Sequence, residues 1–224
     1  MIAYTLVRSN RKTVALYIRG GMVEIRAPLA MPKRAIDQFA SAHAGWIDEK
    51  MRQYTAQAQE RAQFRLLYGS LVTYRGKQYP IVPHKGRNCG FDGERFYIPP
   101  NLPPERIKAT CVQIYRMLAK QHLTTRTFAL AQQMSVEPAA VRITGARTRS
   151  GSCSGKKNIN YSWRLVMAED AVIDYVVVHE LAHLTEMNHS ARFWRIVEGV
   201  LPNYRTLKKQ LIPLQQTLSA QDWN

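Results

Sequence analysis

His179, Glu180 and His183 stand in the run His-Glu-Leu-Ala-His. Two histidines four apart on a helix point the same way, one turn above the other, so both imidazoles reach one metal ion. A carboxylate directly after the first histidine lies beside that ion without being its obvious ligand. It is placed to take a proton from a water on the metal. This is the spacing of zinc hydrolases, and its mechanism explains the spacing. The segment before it, Ala171 to Val178, is apolar nearly all round apart from Asp174, which reads as a buried helix. Two histidines and a glutamate on such a helix are costly unless paired or metal-bound. A structural histidine pair is the alternative.

A third histidine, His189, follows six residues after His183. A continuing helix would turn position 189 away from the first two. The helix is therefore predicted to end between them, with Asn188 as a left-handed stop. Ser190 reads as the N-cap of a second helix, Ala191 to Val200. Three neutral imidazoles with a fourth position open describe a catalytic zinc site rather than a closed structural one. The other reading of His189 is a capping or surface residue. Phe193 and Trp194 read as packing for the second helix, and Tyr204 and Arg195 as candidates to stabilise a developing oxyanion. Cys153 reads as a turn residue, with an inhibitory fourth ligand or a redox-sensitive thiol as alternatives. His43, His84 and His122 have no partner at metal spacing and read as structural or surface residues.

The elements that must position these residues follow from periodicity. Val14, Leu16 and Ile18 alternate, Gly20-Gly21 turns, and Val23, Ile25 and Ala27 alternate again, which predicts a hairpin. Pro32 opens a helix carrying Ile36, Phe39, Ala40, Trp46 and Ile47, with a polar extension to about Gln63. Leu71 to Tyr74, a turn at Arg75-Gly76-Lys77, and Tyr79 to Val82 give a second hairpin. Pro83 to Gly93 reads as a loop and Arg95 to Ile98 as a short strand. The prolines between Pro99 and Pro104 resist both helix and sheet, so the domain boundary is placed there. A long helix from Ile107 to about Met134 follows. Val141 and Ile143 begin a strand, Gly151 to Gly155 a turn, and Ile159, Tyr161, Trp163 and Leu165 alternate as a strand flanking the metal helix. The fold class is α+β: a β-rich region with a helix over residues 1–100, then a compact helical unit with a short sheet, carrying the metal helix, over 101–224.

The stretch from Ile173 to Leu184, with Asn188-His189-Ser190 and Phe193-Trp194, resembles the YgjP-like metallopeptidases, zincins related to the SprT-like and WLM-type proteases. Gly151-Ser152-Cys153-Ser154, Trp163-Arg164-Leu165 and Pro202-Asn203-Tyr204 match the same family, although Ser150 stands where it usually carries Trp and Ser162 where Asn is common. The resemblance is strong in the second half and loose in the first hundred residues. It implies zinc held by His179, His183 and His189, with Glu180 as general base. It also implies peptide or protein substrates, which in zincins lie along the edge of the flanking strand.

The chain of 224 residues has a net charge of +16. Between Pro138 and Ala168 stand Arg142, Arg147, Arg149, Lys156, Lys157 and Arg164 with no acidic residue. Such a stretch suits an anionic partner, nucleic acid included, or simply a solvated face. A second function class therefore stands beside the peptidase: a basic, nucleic-acid-associated module, either a recruited protease or a non-catalytic one with structural zinc. Glu180 discriminates, because a structural site has no use for a carboxylate beside its first ligand. No run is long and apolar enough to span a membrane, and the first residues lack the pattern of a signal peptide. Cys89, Cys111 and Cys153 form no disulfide pattern, which points to the cytoplasm.

Overall fold

The computed structural model describes residues 2–223. The chain divides into two compact units, Met1–Phe64 and Arg65–Asn224. In the first unit, β2 (Ala15–Arg19) and β3 (Met22–Pro28) form the expected hairpin. Gly20 and Gly21 adopt φ of 57° and 76°, the left-handed turn that glycine enters without steric cost. Strand β1 (Thr5–Ser9) pairs parallel to β3 on its other edge. It was not legible beforehand, because its residues are mostly exposed and carry no alternating pattern. Backbone pairing holds it, together with Arg8, which donates to the carbonyls of Pro28, Leu29 and Met31.

The helix predicted from Pro32 to Gln63 is two helices, α1 (Lys33–Ala42) and α2 (Ala44–Gln63). His43 breaks them at φ −107° and ψ 17°, and its Nδ1 lies 2.8 Å from the carbonyl of Phe39. Val23, Ile25 and Ala27 from β3 pack with Ile36, Ala40 and Ile47 as this unit's core.

The second unit begins with β4 (Leu71–Tyr74) and β5 (Lys77–Pro83), an antiparallel hairpin. Its turn residues Arg75 and Gly76 have φ of 50° and 75°. Strands β6 (Gly90–Phe91) and β7 (Phe96–Ile98) complete a sheet of order β4-β5-β7-β6. Helix α3 (Pro104–Gln133) follows. The proline-rich segment before it is a corner inside the second unit, whereas the division into units falls after Phe64. The reason is a shared core: Phe96 of β7 and Tyr115 of α3 are fully buried with ring centroids 5.2 Å apart. Tyr115 Oη also donates to the carbonyl of Thr73 at 2.6 Å.

The sheet nearest the motif has the order β8-β10-β9. Strand β10 (Asn158–Ser162) lies parallel to β8 (Ala140–Thr144) and antiparallel to β9 (Gly151–Cys153). Two expectations change here. The segment read as a Gly/Ser turn holds the edge strand β9, and the turn comes after it, with Lys157 rather than a glycine at positive φ. The alternation through Trp163 and Leu165 does not continue as strand. A 3-10 helix covers Trp163–Met167, and all five residues are buried, Arg164 and Val166 included. Ser162 caps it by accepting from the Arg164 N–H.

Helix α4 (Asp170–Ala182) carries the motif, followed by α5 (Ala191–Val200) and α6 (Tyr204–Ala220). Arg75 clasps Asp170 in the first turn of α4, and Arg126 of α3 clasps Asp174 through two contacts of 2.8 and 2.7 Å. These paired forks fix the direction of α4. Among the described residues no helix is long and apolar enough to cross a membrane. With both helices and small mixed sheets, the fold is α+β as expected.

Candidate metal centre

Helix α4 is buried on nearly every side; Ile173, Val177, Val178, Leu181 and Ala182 are all inaccessible. A helix so enclosed cannot turn its polar residues to water, so His179 and Glu180 must be satisfied within the protein or by a bound group. The helix ends at Ala182, with His183 as its cap. The stop is not a left-handed Asn188, whose φ is not positive. It is a tight turn in which Leu184 N–H donates to Leu181 and Glu186 N–H to Ala182. The chain then reverses and brings His189 back over the helix. Ser190 caps α5 as expected, its Oγ accepting from Phe193 N–H at 3.3 Å.

The three histidines converge. One ligand atom from each of His179, His183 and His189 can be chosen so that all lie within 4.8 Å of one another. Nε2 of His189 and Nε2 of His179 are 3.0 Å apart. His183 Nδ1 lies 3.1 Å from the carbonyl oxygen of Glu186. With that ring N–H donating to the carbonyl, the proton sits on Nδ1 and Nε2 keeps its lone pair free for a cation. Burial, then the neighbouring positive charges, pushes His179 down to about 3, so this imidazole is neutral and able to ligate at ordinary pH. Its Nδ1 is buried and has no hydrogen-bond partner among the described residues. Among the described residues no fourth side chain joins this group, and three neutral nitrogen donors fit zinc with one coordination position left for water.

Phe193 is fully buried beneath the centre. Its ring centroid lies 4.9, 4.6 and 4.8 Å from those of His179, His183 and His189. Trp194 lies nearly parallel to His189 at 5.8 Å and to Tyr204 at 5.2 Å. The two aromatic residues expected to pack α5 thus also lie against the rings of the converging histidines. Tyr204 is buried, and its hydroxyl accepts from Arg205 Nε at 3.2 Å. Arg195 is exposed on α5.

Glu180 is only 5% exposed. Burial raises its carboxyl to about 7, with Arg149 opposing. It lies against the backbone of β9: a Cβ built on Gly151 would stand 2.5 Å from Glu180 Oε1. The sequence pattern offered Gly151 only as a turn residue, because its role depends on the strand packing across α4. Cys153, on the same strand, is a free, half-buried thiol, which burial and then the Glu180 charge push up from its ordinary value. Of the basic stretch, Arg142, Arg147, Arg149, Lys156 and Lys157 are exposed. Arg164 is not available to a surface partner in the same way. It is buried, donates to the carbonyl of Gly145 and lies over the Trp163 ring.

Two solved structures resemble part of this chain. One is the metallopeptidase zymogen of Pyrococcus abyssi abylysin, 24% identical, covering 42% of this chain and 95% of that one with a TM-score of 0.40. The other is the metallopeptidase zymogen of Methanocaldococcus jannaschii jannalysin, 16% identical, covering 41% and 94% with a TM-score of 0.37. No curated protein matches the chain. The family described as YgjP-like, metallopeptidase domain, matches residues 12–212, nearly the whole sequence. The chain belongs to the YgjP-like metallopeptidase family.

Proposed function

We propose that this protein is a zinc-dependent peptidase that hydrolyses peptide bonds with Glu180 as its general base. The observation that carries the reading is the convergence of three imidazoles beside a buried carboxylate that is not one of them. His179, His183 and His189 would hold the ion. Zinc, when bound, acidifies a water at its open position to a pKa of about 7. Glu180 accepts the proton of the attacking water and delivers it to the leaving amine. The enclosed walls of α4 and β9 keep that carboxylate in one place. We assign oxyanion stabilisation to Tyr204 ahead of Arg195: its hydroxyl already accepts from Arg205, which leaves its own proton to donate. The edge strand β9 would receive an extended substrate by backbone pairing. Three free cysteines suit a reducing compartment, and we place the enzyme in the cytoplasm.

The purified protein should carry about one zinc per chain, read by elemental analysis. His179→Ala and His183→Ala should each lose it. Full retention in both would remove the site assignment.

Arg142, Arg147, Arg149, Lys156 and Lys157 are all exposed in the same unit, where they would attract an anionic partner. Recruitment to nucleic acid through these cations is the second reading. It requires affinity that falls linearly in log–log form with salt as counterions are released. Fluorescence anisotropy with a labelled oligonucleotide measures this directly. No binding at low salt would leave these residues as a solvated face.

A further inference from the structure

A cavity of about 480 Å3 lies between α3, the end of β8, the 3-10 helix and Trp223. It contains none of the three histidines. Its lining carries three cations, Lys108, Arg116 and Arg164, against one carboxylate, Glu105. Arg164 is the unusual member. It is 7% exposed, and arginine is rarely so deeply buried without a paired anion. No carboxylate among the described residues lies within ion-pair distance of it, or of Arg116. Among the described residues one of its five N–H donors is used, Nη1 donating to the carbonyl of Gly145 at 3.1 Å.

The neighbouring cations increase the imbalance. Arg116 Nη2 stands 3.1 Å from where a Cβ on Gly145 would lie, so both guanidinium groups meet at this glycine. Burial, then the charges of Arg147 and Arg116, push Arg164 down from its ordinary value, while Asp222 acts the other way. Lys108 is balanced by Asp222, with Nζ and Oδ2 3.3 Å apart. The rear of the cavity is apolar: Ala109, Val112, and Trp163 set edge-on to Trp223 at 5.8 Å.

We propose that this cavity binds a small organic phosphate, with the guanidinium groups of Arg164 and Arg116 on its oxyanion. Guanidinium forks match phosphate oxygens in pairs. With Lys108 paired to Asp222, Arg164 and Arg116 remain as the two lining cations that meet no carboxylate among the described residues, and two adjacent guanidinium forks match the several oxygens of a phosphate better than a single carboxylate. The apolar rear wall receives the carbon part of the ligand. The volume lies in the range of small-molecule sites, about 300 to 1,000 Å3. The site is independent of the peptidase reading and stands or falls without it.

Isothermal titration calorimetry of the full-length, metal-loaded protein at low salt tests the site with three probes: adenosine 5′-monophosphate, inorganic phosphate and adenosine. The monophosphate should bind most tightly, phosphate more weakly, and adenosine not measurably. Arg116→Glu, at an exposed position, should keep the native circular dichroism and weaken the monophosphate by at least about tenfold. Arg116→Lys should recover part of that loss. The proposal is overturned if neither phosphate-bearing probe binds the native protein, or if Arg116→Glu binds as tightly as native. It is overturned equally if adenosine binds as well as its monophosphate. Phosphate binding as tightly as the monophosphate would overturn the role of the apolar wall.

Discussion

The α-carbon of Gly151 faces the carboxyl group of Glu180 so closely that a methyl group there would lie 2.5 Å from Oε1 and 2.8 Å from Cδ. Glu180 is walled in by its own buried helix, so it cannot yield without leaving its position. Gly151→Ala should therefore retain zinc and fold but lose activity. A misplacement of about 1 Å costs on the order of a hundredfold in rate. Gly155→Ala is the control, because nothing lies within 4 Å of a Cβ there. Peptide hydrolysis by the two variants checks this. Equal, native-like rates would mean that Glu180 tolerates displacement.

Trp194 sits between His189 and Tyr204 in a near-parallel stack, with Lys208 Nζ 4.8 Å from its ring centre. His189 is exposed and comes from a loop, so this stack supplies much of its orientation. Trp194→Ala should weaken zinc binding about ten- to a hundredfold, the usual cost of losing support behind a ligand, and Trp194→Phe by less. Competition with a chromophoric chelator measures the difference. An unchanged affinity in Trp194→Ala would show that the loop alone orients His189.

The Arg75–Asp170 pair makes stability depend on acid. Hydrogen bonding to Arg75, followed by the charges of Arg75 and His122, holds Asp170 below its ordinary 3.8, with burial opposing. A carboxyl depressed in the folded state stabilises above its unfolded pKa and loses that contribution as pH falls through the folded one. Both partners are nearly half exposed, 43% and 48%, so the contribution is about 1 kcal/mol or less. Asp170→Asn should lower the unfolding free energy at pH 7, and the gap to native should close as pH falls below 3.8. Urea unfolding across that range checks it. A gap that widens in acid would contradict the sign.

The sequence carried the chemistry more readily than the scaffold. The His179–Glu180–His183 spacing, the Ser190 cap and helix α5 were legible because each is set by residues within one or two turns. The hairpins were legible because glycine turns and alternation are local signals. What escaped depended on distant contacts. Strand β1 is nearly all exposed, so only its backbone pairing to β3 reveals it. Trp163 to Met167 alternates like a strand for three residues, yet both faces are buried and Ser162 starts a helix there instead. The closure of the loop to His189 looked like a task for Asn188 and is done by a turn over Ala182 and the carbonyl of Glu186. Gly151 gave no sign of its role, because steric room is a property of what packs opposite.

The most direct test of the account is hydrolysis by Glu180→Gln. The amide keeps the size of the side chain but cannot accept the proton of the attacking water. The variant should bind about one zinc per chain, unfold as the native protein does, and cleave peptides on the order of a hundred- to ten-thousandfold more slowly. Native turnover by a zinc-loaded Glu180→Gln protein would contradict the assignment of Glu180 as the base.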